Sequence, residues 1–245
     1  MKKWMVAFVA LMVMVLGAHA DNMQTKGAMG QGVMKKMGKK MPKNYRMVPF
    51  AKAQILQKGD AKMFCTRCGM TLPMFYRTNH AAKVDGTMEQ FCSMYCLVET
   101  MNMGKKVTDV QVVDNTTLKF IPVEKAFYVV GSSKPATMAA KVSKYAFGTK
   151  EAAEAFAKKF GGKVMDYAGA LAQAKAAYDA DTKAKKMRQA KGAKKGAMIY
   201  KKQCKPIEQK FASAAQAKAY IKTNNVCGDL KGKPLQGVAL YLMSR

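Results

Sequence analysis

Six cysteines are the residues of this chain best suited to chemistry, and four of them are spaced for a metal. Cys65 and Cys68 stand C-x2-C, Cys92 and Cys96 stand C-x3-C, and 23 residues separate the pairs. Such spacing admits three outcomes. Four thiolates close a tetrahedral zinc site of the treble-clef kind. In an oxidising compartment the same thiols form disulfides. With thioethers nearby they form a soft site that selects Cu(I). Met70 follows Cys68 by two residues and Met94 lies between Cys92 and Cys96, with Met63, Met74 and Met88 close in sequence. Spacing alone leaves zinc, disulfide and Cu(I) open. His80 is a further metal-ligand candidate, expected in the loop after Arg77-Thr78-Asn79; a loop histidine is also an ordinary solvated residue.

The elements that must position these groups read as two small units. In the first, short strands near Lys62-Met63-Phe64 and Phe75-Tyr76 flank the Cys65–Met70 turn, and Asp85-Gly86 marks a hairpin. A strand from Thr87 to Phe91 leads into Cys92. Ser93 then starts a helix that runs to Met103 and stops at Gly104, and Val107 to Val113 is a strand. The second unit begins with Lys125 to Gly131 and resumes at Tyr145 to Thr149. Thr149 caps a helix from Glu151 to Phe160 that ends at Gly161-Gly162, and Val164 to Tyr167 is a last strand. The expected class is α+β: two strand-strand-helix-strand units over 49–177, with cysteines only in the first.

The flanks differ in character. Lys2 and Lys3, an apolar run from Trp4 to Leu16 and Ala18-His19-Ala20 form a secretory signal over residues 1–20. The run, about 13 residues, falls short of the roughly 20 that span a bilayer, so no stable membrane insertion is expected after cleavage. Residues 21–48, rich in Gly, Lys and Met, read as a disordered arm whose spaced thioethers could gather Cu(I). Residues 178–195 read as a Lys-rich helical linker and 196–245 as a small helical tail. The formal net charge of +28 would ordinarily point to nucleic acid or an anionic surface. Export and the lack of interleaved aromatics argue against nucleic acid and for a solvated basic surface, with docking to an acidic partner as the second reading.

Cys65-Thr66-Arg67-Cys68-Gly69-Met70 resembles the C-x-x-C-G-M signature of the NosL family, accessory proteins of nitrous oxide reductase in denitrification. The resemblance continues through Phe91-Cys92-Ser93, Ala126 to Ser132, Tyr145 to Ala152, Phe156-Ala157 and Gly161 to Val164, over roughly residues 60 to 175. It implies an α+β fold of two small units, distantly similar to a domain of the organomercurial lyases. It also implies an exported Cu(I)-binding protein that supplies copper to nitrous oxide reductase or another cuproprotein client. By position, Cys68 and Met70 are the implied copper ligands, with Cys65 as a third ligand or resolving thiol. Met138 would close the site from the second unit, unless it only packs. Many family members are lipoproteins. This sequence lacks the lipidation cysteine, so a non-lipidated periplasmic form is expected.

The tail resembles a small c-type cytochrome without its haem: Met198 to Cys204 and Leu235 to Leu242 match its first and last helices. Haem attachment needs C-x-x-C-H, and Cys204-Lys205-Pro206-Ile207-Glu208 lacks both the second Cys and the His. Cys204 and Cys227 are expected to form a disulfide that staples a core too small to stand alone. A carbon–metal lyase activity would need an acid beside the thiols. No Asp is placed there, so the chain is read as a binding protein and not an enzyme.

Overall fold

The computed structural model describes residues 44–138 and 140–245. The expected signal peptide over residues 1–20 and residues 21–43 of the expected arm lie outside the described residues. Four strands form one antiparallel sheet in the order β2-β1-β3-β4: β1 (His80–Val84), β2 (Thr87–Phe91), β3 (Val107–Val113) and β4 (Phe120–Pro122). Helix α1 (Met94–Met101) connects β2 to β3. A second sheet, ordered β6-β5-β7, holds β5 (Phe127–Val130), β6 (Lys144–Phe147) and β7 (Lys163–Met165), with α2 (Lys150–Phe160) between β6 and β7. The second unit reads strand-strand-helix-strand and the first reads the same with β4 added, the expected α+β class. A parallel bridge between Asp114 and Ala146 joins the two sheets.

Local chemistry accounts for much of this. Asp85 (φ 48°) and Gly86 (φ 84°) both take positive φ, which a two-residue hairpin needs to follow the strand twist. Their β1–β2 ladder pairs Val84 with Thr87 and His80 with Phe91. The Thr149 hydroxyl accepts from the Ala152 amide and starts α2 as expected. Ser93 takes the equivalent place before α1, but its hydroxyl makes no capping bond.

The first unit's leading strands differ from expectation. Phe75 and Tyr76 lie in a 3-10 segment, Leu72–Thr78, and Phe64 makes only an isolated bridge to Thr71. Pro73 near the start of that segment and the buried Tyr76 side chain favour a tight turn over a ladder. The true hairpin partner is β1, where His80 begins a strand and does not sit in a loop.

Beyond β7 the chain is helical: α3 (Tyr167–Ala176), α4 (Tyr178–Gln203), α5 (Ala214–Thr223) and α6 (Gly232–Ser244). The expected linker over 178–195 is the first part of α4, which continues into the tail and buries Asp181, Lys185 and Gly196. A Cβ on Gly196 would lie 1.9 Å from the Gly237 carbonyl oxygen, so α4 and α6 cross backbone to backbone. Ile207, Ala217, Ile221, Leu235, Val238 and Leu242 form the tail's own core, and Cys204–Cys227 is a disulfide.

The end of the expected arm is ordered as well. Val48 is buried with Tyr76 and Val113, and Tyr45 packs edge-on against Tyr145. The described residues from 44 onward belong to one compact unit.

Candidate metal centre

The first cysteine pair sits on a knuckle. The Cys65 amide donates to the Met70 carbonyl at 2.8 Å, and the Gly69 amide donates to the Cys65 carbonyl at 2.8 Å. The turn needs positive φ at its fifth residue, and Gly69 supplies it at 72° without a Cβ penalty. The second pair straddles a strand–helix junction. Cys92 follows the last residue of β2, and Cys96 lies one turn on, inside α1. The Thr78 hydroxyl holds that junction by donating to the Cys92 carbonyl at 2.8 Å.

These two pieces bring all four sulfurs together. Every Sγ lies within 4.8 Å of the others, and all four side chains are buried. Cys68 and Cys92 are 3.4 Å apart and Cys92 and Cys96 are 3.8 Å apart. A tetrahedral zinc tetrathiolate has sulfur–sulfur edges of about 3.8 Å, so the set can close on one ion with little movement. The four are free thiols, which sets them apart from the bonded pair in the tail.

Electrostatics in the cluster are shared. Burial alone would raise the Cys65 thiol, but hydrogen bonds from Cys68, Cys92 and Cys96 pull it well below its usual value. Cys92 is pushed well up, first by burial and then by Cys65 and Cys68. Cys96 is pushed up mainly by its hydrogen bonds with Cys65, Cys68 and Cys92, with burial adding to them. Cys65 is thus the favoured anion over Cys92 and Cys96, and a cation entering the set would displace thiol protons.

The predicted site residues divide in two. Cys65, Cys68, Cys92 and Cys96 converge, and Met70 and Met138 pack against the wider hydrophobic core to which the four belong. Met94 instead joins the neighbouring core with Val98 and Tyr128. His80 also lies apart from the sulfurs. Its Nδ1 donates to the Thr78 carbonyl at 3.2 Å, so its Nε2 accepts from the Tyr128 hydroxyl at 3.1 Å. Burial pulls its pKa down to about 4, against the Thr78 hydrogen bond and helped by Lys144. A neutral imidazole with both nitrogens engaged has no free donor for a metal, which corrects the expectation of ligation from a loop.

Sequence reading missed what covers the knuckle. Lys218 Nζ donates to the Gly69 carbonyl at 2.6 Å, and Gln236 Nε2 donates to the Cys68 carbonyl at 2.9 Å. Both residues come from the tail, 149 and 168 positions away. No local motif announces contacts at that separation. Glu99, three residues after Cys96 on α1, pairs with Lys185 of α4 and lies 3.9 Å from Arg67 in the knuckle. Among the described residues no carboxylate belongs to the sulfur cluster itself.

A buried four-thiol centre in an α+β fold of two small sheets is a group of ligands that could hold one metal ion. Residues 57–176 match the NosL family, and through them the chain belongs to that family. Among solved structures, the crystal structure of the copper chaperone NosL from Shewanella denitrificans is similar at 24% identity and a TM-score of 0.37. The match covers 46% of this chain and 94% of that one. No curated protein sequence matches. Residues 177–245, which include α4, α5 and α6, fall outside the family match.

Proposed function

We propose that the chain is a periplasmic Cu(I)-binding accessory protein that carries copper to a cuproprotein, with nitrous oxide reductase as the client. The observation that carries this reading is four buried thiols in a core against which Met70 and Met138 also pack. Thiolate and thioether are both soft donors, and together they favour Cu(I) over harder divalent ions. Cys68 and Met70 are the leading ligands on this reading. Cys65, Cys92 and Cys96 complete the sulfur shell, and Met138 approaches from the second unit. Membership of the NosL family supports the reading. Copper here is cargo. Glu99, three residues past Cys96, is engaged by Lys185, and a binding role is the better account. Export rests on the secretory signal expected over residues 1–20. No helix among the described residues is long and apolar enough to cross a membrane.

One observation favours a second reading. The 3.4 and 3.8 Å sulfur separations also suit a structural zinc tetrathiolate. Anaerobic titration of the reduced, signal-less chain with Cu(I) and Zn(II) against competing chelators separates the two. Cu(I) should displace Zn(II) at an equivalence of one ion per chain. Retention of Zn(II) against excess Cu(I) would assign the centre a structural role.

A further inference from the structure

Lys218 is a buried cation without a conventional partner. It is 2% exposed, and among the described residues no carboxylate forms an ion pair with it. Its ammonium group touches the Gly69 carbonyl and stands 5.0 Å over the Phe64 ring. A buried charge is costly unless something of opposite sign lies close. What lies close is the sulfur cluster, because Gly69 follows Cys68 directly and Phe64 precedes Cys65. Thiolates around either Cu(I) or Zn(II) leave the centre net negative, and Lys218 is placed to offset that charge.

Two more contacts fasten the same segment over the same turn. Gln236 on α6 donates to the Cys68 carbonyl. The backbone of Gly69 runs so close to α5 that a Cβ there would meet the Ala214 Cβ at 2.7 Å. The helices that bring these groups are each tied to α4, α6 by the Gly196–Gly237 crossing and the segment after α5 by the Cys204–Cys227 disulfide. α4 is tied in turn to the cysteine-bearing helix by the Glu99–Lys185 pair and by the stacking of Tyr178 on Tyr95.

We propose that the C-terminal helical segment is a cover of the thiol centre, in which Lys218 and Gln236 are positioning residues that hold the Cys68–Gly69 turn and slow metal release. This rests on the reading that the four thiols hold a metal, and not on which metal that is. Delivery to a client then requires the segment to lift, and a partner that competes for α5 and α6 would trigger it.

The test uses the full exported chain, loaded separately with Cu(I) and Zn(II), and measures the rate at which a chelator withdraws each ion. Lys218→Met and Gln236→Leu each remove one clamp. Lys222→Met removes an exposed charge from the same helix and serves as the control. Lys218→Met should speed release roughly tenfold, the worth of one charge-assisted hydrogen bond. Lys222→Met should change nothing, and Lys218→Arg should recover part of the retention. Melting temperature and near-ultraviolet circular dichroism identify any variant in which the tail has unfolded; Gln236, only part-buried, then carries the test. Reactivity of the metal-free thiols towards a disulfide reagent should rise in the same order. Release and thiol reactivity within about twofold of wild type in the Lys218→Met/Gln236→Leu double variant would overturn the cover. A wild-type chain that binds neither ion would overturn the metal-centre reading instead, and thiol reactivity alone would then decide for or against the cover.

Discussion

At the scale of single residues, the sulfurs differ in what their loss should do. Cys68→Ser replaces a charged soft donor by a hard neutral one, and Cu(I) affinity should fall by roughly a hundredfold or more. Met70→Leu keeps the volume packed against the cluster and removes only a thioether. Its effect on folding should stay under about 1.5 kcal/mol, while Cu(I) affinity falls by less than in Cys68→Ser. Chelator competition and urea unfolding on the same samples would show both, and equal affinity losses would contradict the ranking of the donors. His80 makes a different prediction. Its folded pKa is about 4, below the unfolded value of about 6.5. The unfolded chain therefore binds more protons between these values, and stability falls as pH drops through that window, by up to about 3 kcal/mol. His80→Gln should flatten the dependence in urea melts at pH 7 and pH 4.5. The sequence hid this role because His80-Ala81-Ala82-Lys83-Val84 has a single β-branched residue, Val84, among those that mark a strand. Neighbours on both sides in the sheet, not propensity, make it one.

At the scale of elements, the α4–α6 crossing is the tightest contact described. Gly196→Ala must push the helices apart, because the new Cβ meets backbone at 1.9 Å. A loss of about 3 kcal/mol is expected. Gly192→Ala, whose Cβ meets only the Leu240 side chain at 3.1 Å, should cost much less. Urea unfolding of the two variants gives the comparison, and similar losses would mean that the helices cross more loosely. The Cys204–Cys227 bridge should contribute about 2–4 kcal/mol, seen as a lower melting temperature in a double Cys→Ala variant. Copper affinity should change far less there than at Cys68, because the bridge lies in the tail's own core. The disulfide could be anticipated from two cysteines left over in an exported chain. The continuity of α4 could not. Its Lys-rich stretch reads as a polar linker, yet Lys185 is buried against Glu99 and Gly196 is buried against Gly237.

At the scale of the whole molecule, the boundary of the N-terminal arm is testable. Residues 44–48 belong to the packed unit: Val48 is 2% exposed, and Arg46 lies 5.0 Å from the Phe75 ring centroid. Deleting 21–43 should leave both the melting temperature and tight Cu(I) binding unchanged. Extending the deletion through Val48 removes a buried side chain and the Tyr45 ring contacts, and should cost about 2–4 kcal/mol. Equal stability of the two truncations would return residues 44–48 to the arm. The basic excess is a property of the surface at this scale. The exposed side of α4 carries Lys183, Lys186, Lys191, Lys194 and Lys195, which keeps the chain soluble and says little about its fold.

Some of this protein is decided within short stretches of sequence. The Cys65–Met70 knuckle, the Asp85-Gly86 hairpin and the Thr149 cap each depend on backbone conformations and hydrogen bonds that close within a few residues. The identity of the soft donors and the family resemblance across residues 57–176 are local in the same sense. Other features exist only once the chain has packed. Which sulfurs meet depends on a strand–helix junction docking against a turn, with 23 residues between the pairs. His80 is withheld from them because Tyr128, on the other sheet, holds its ring. The tail's hold on the centre crosses 149 and 168 residues. Contacts of that reach are set by the fit of surfaces, a missing Cβ at Gly69 against Ala214 and an amine against a carbonyl. Spacing rules carry no information about such a fit, because they describe only neighbours along the chain.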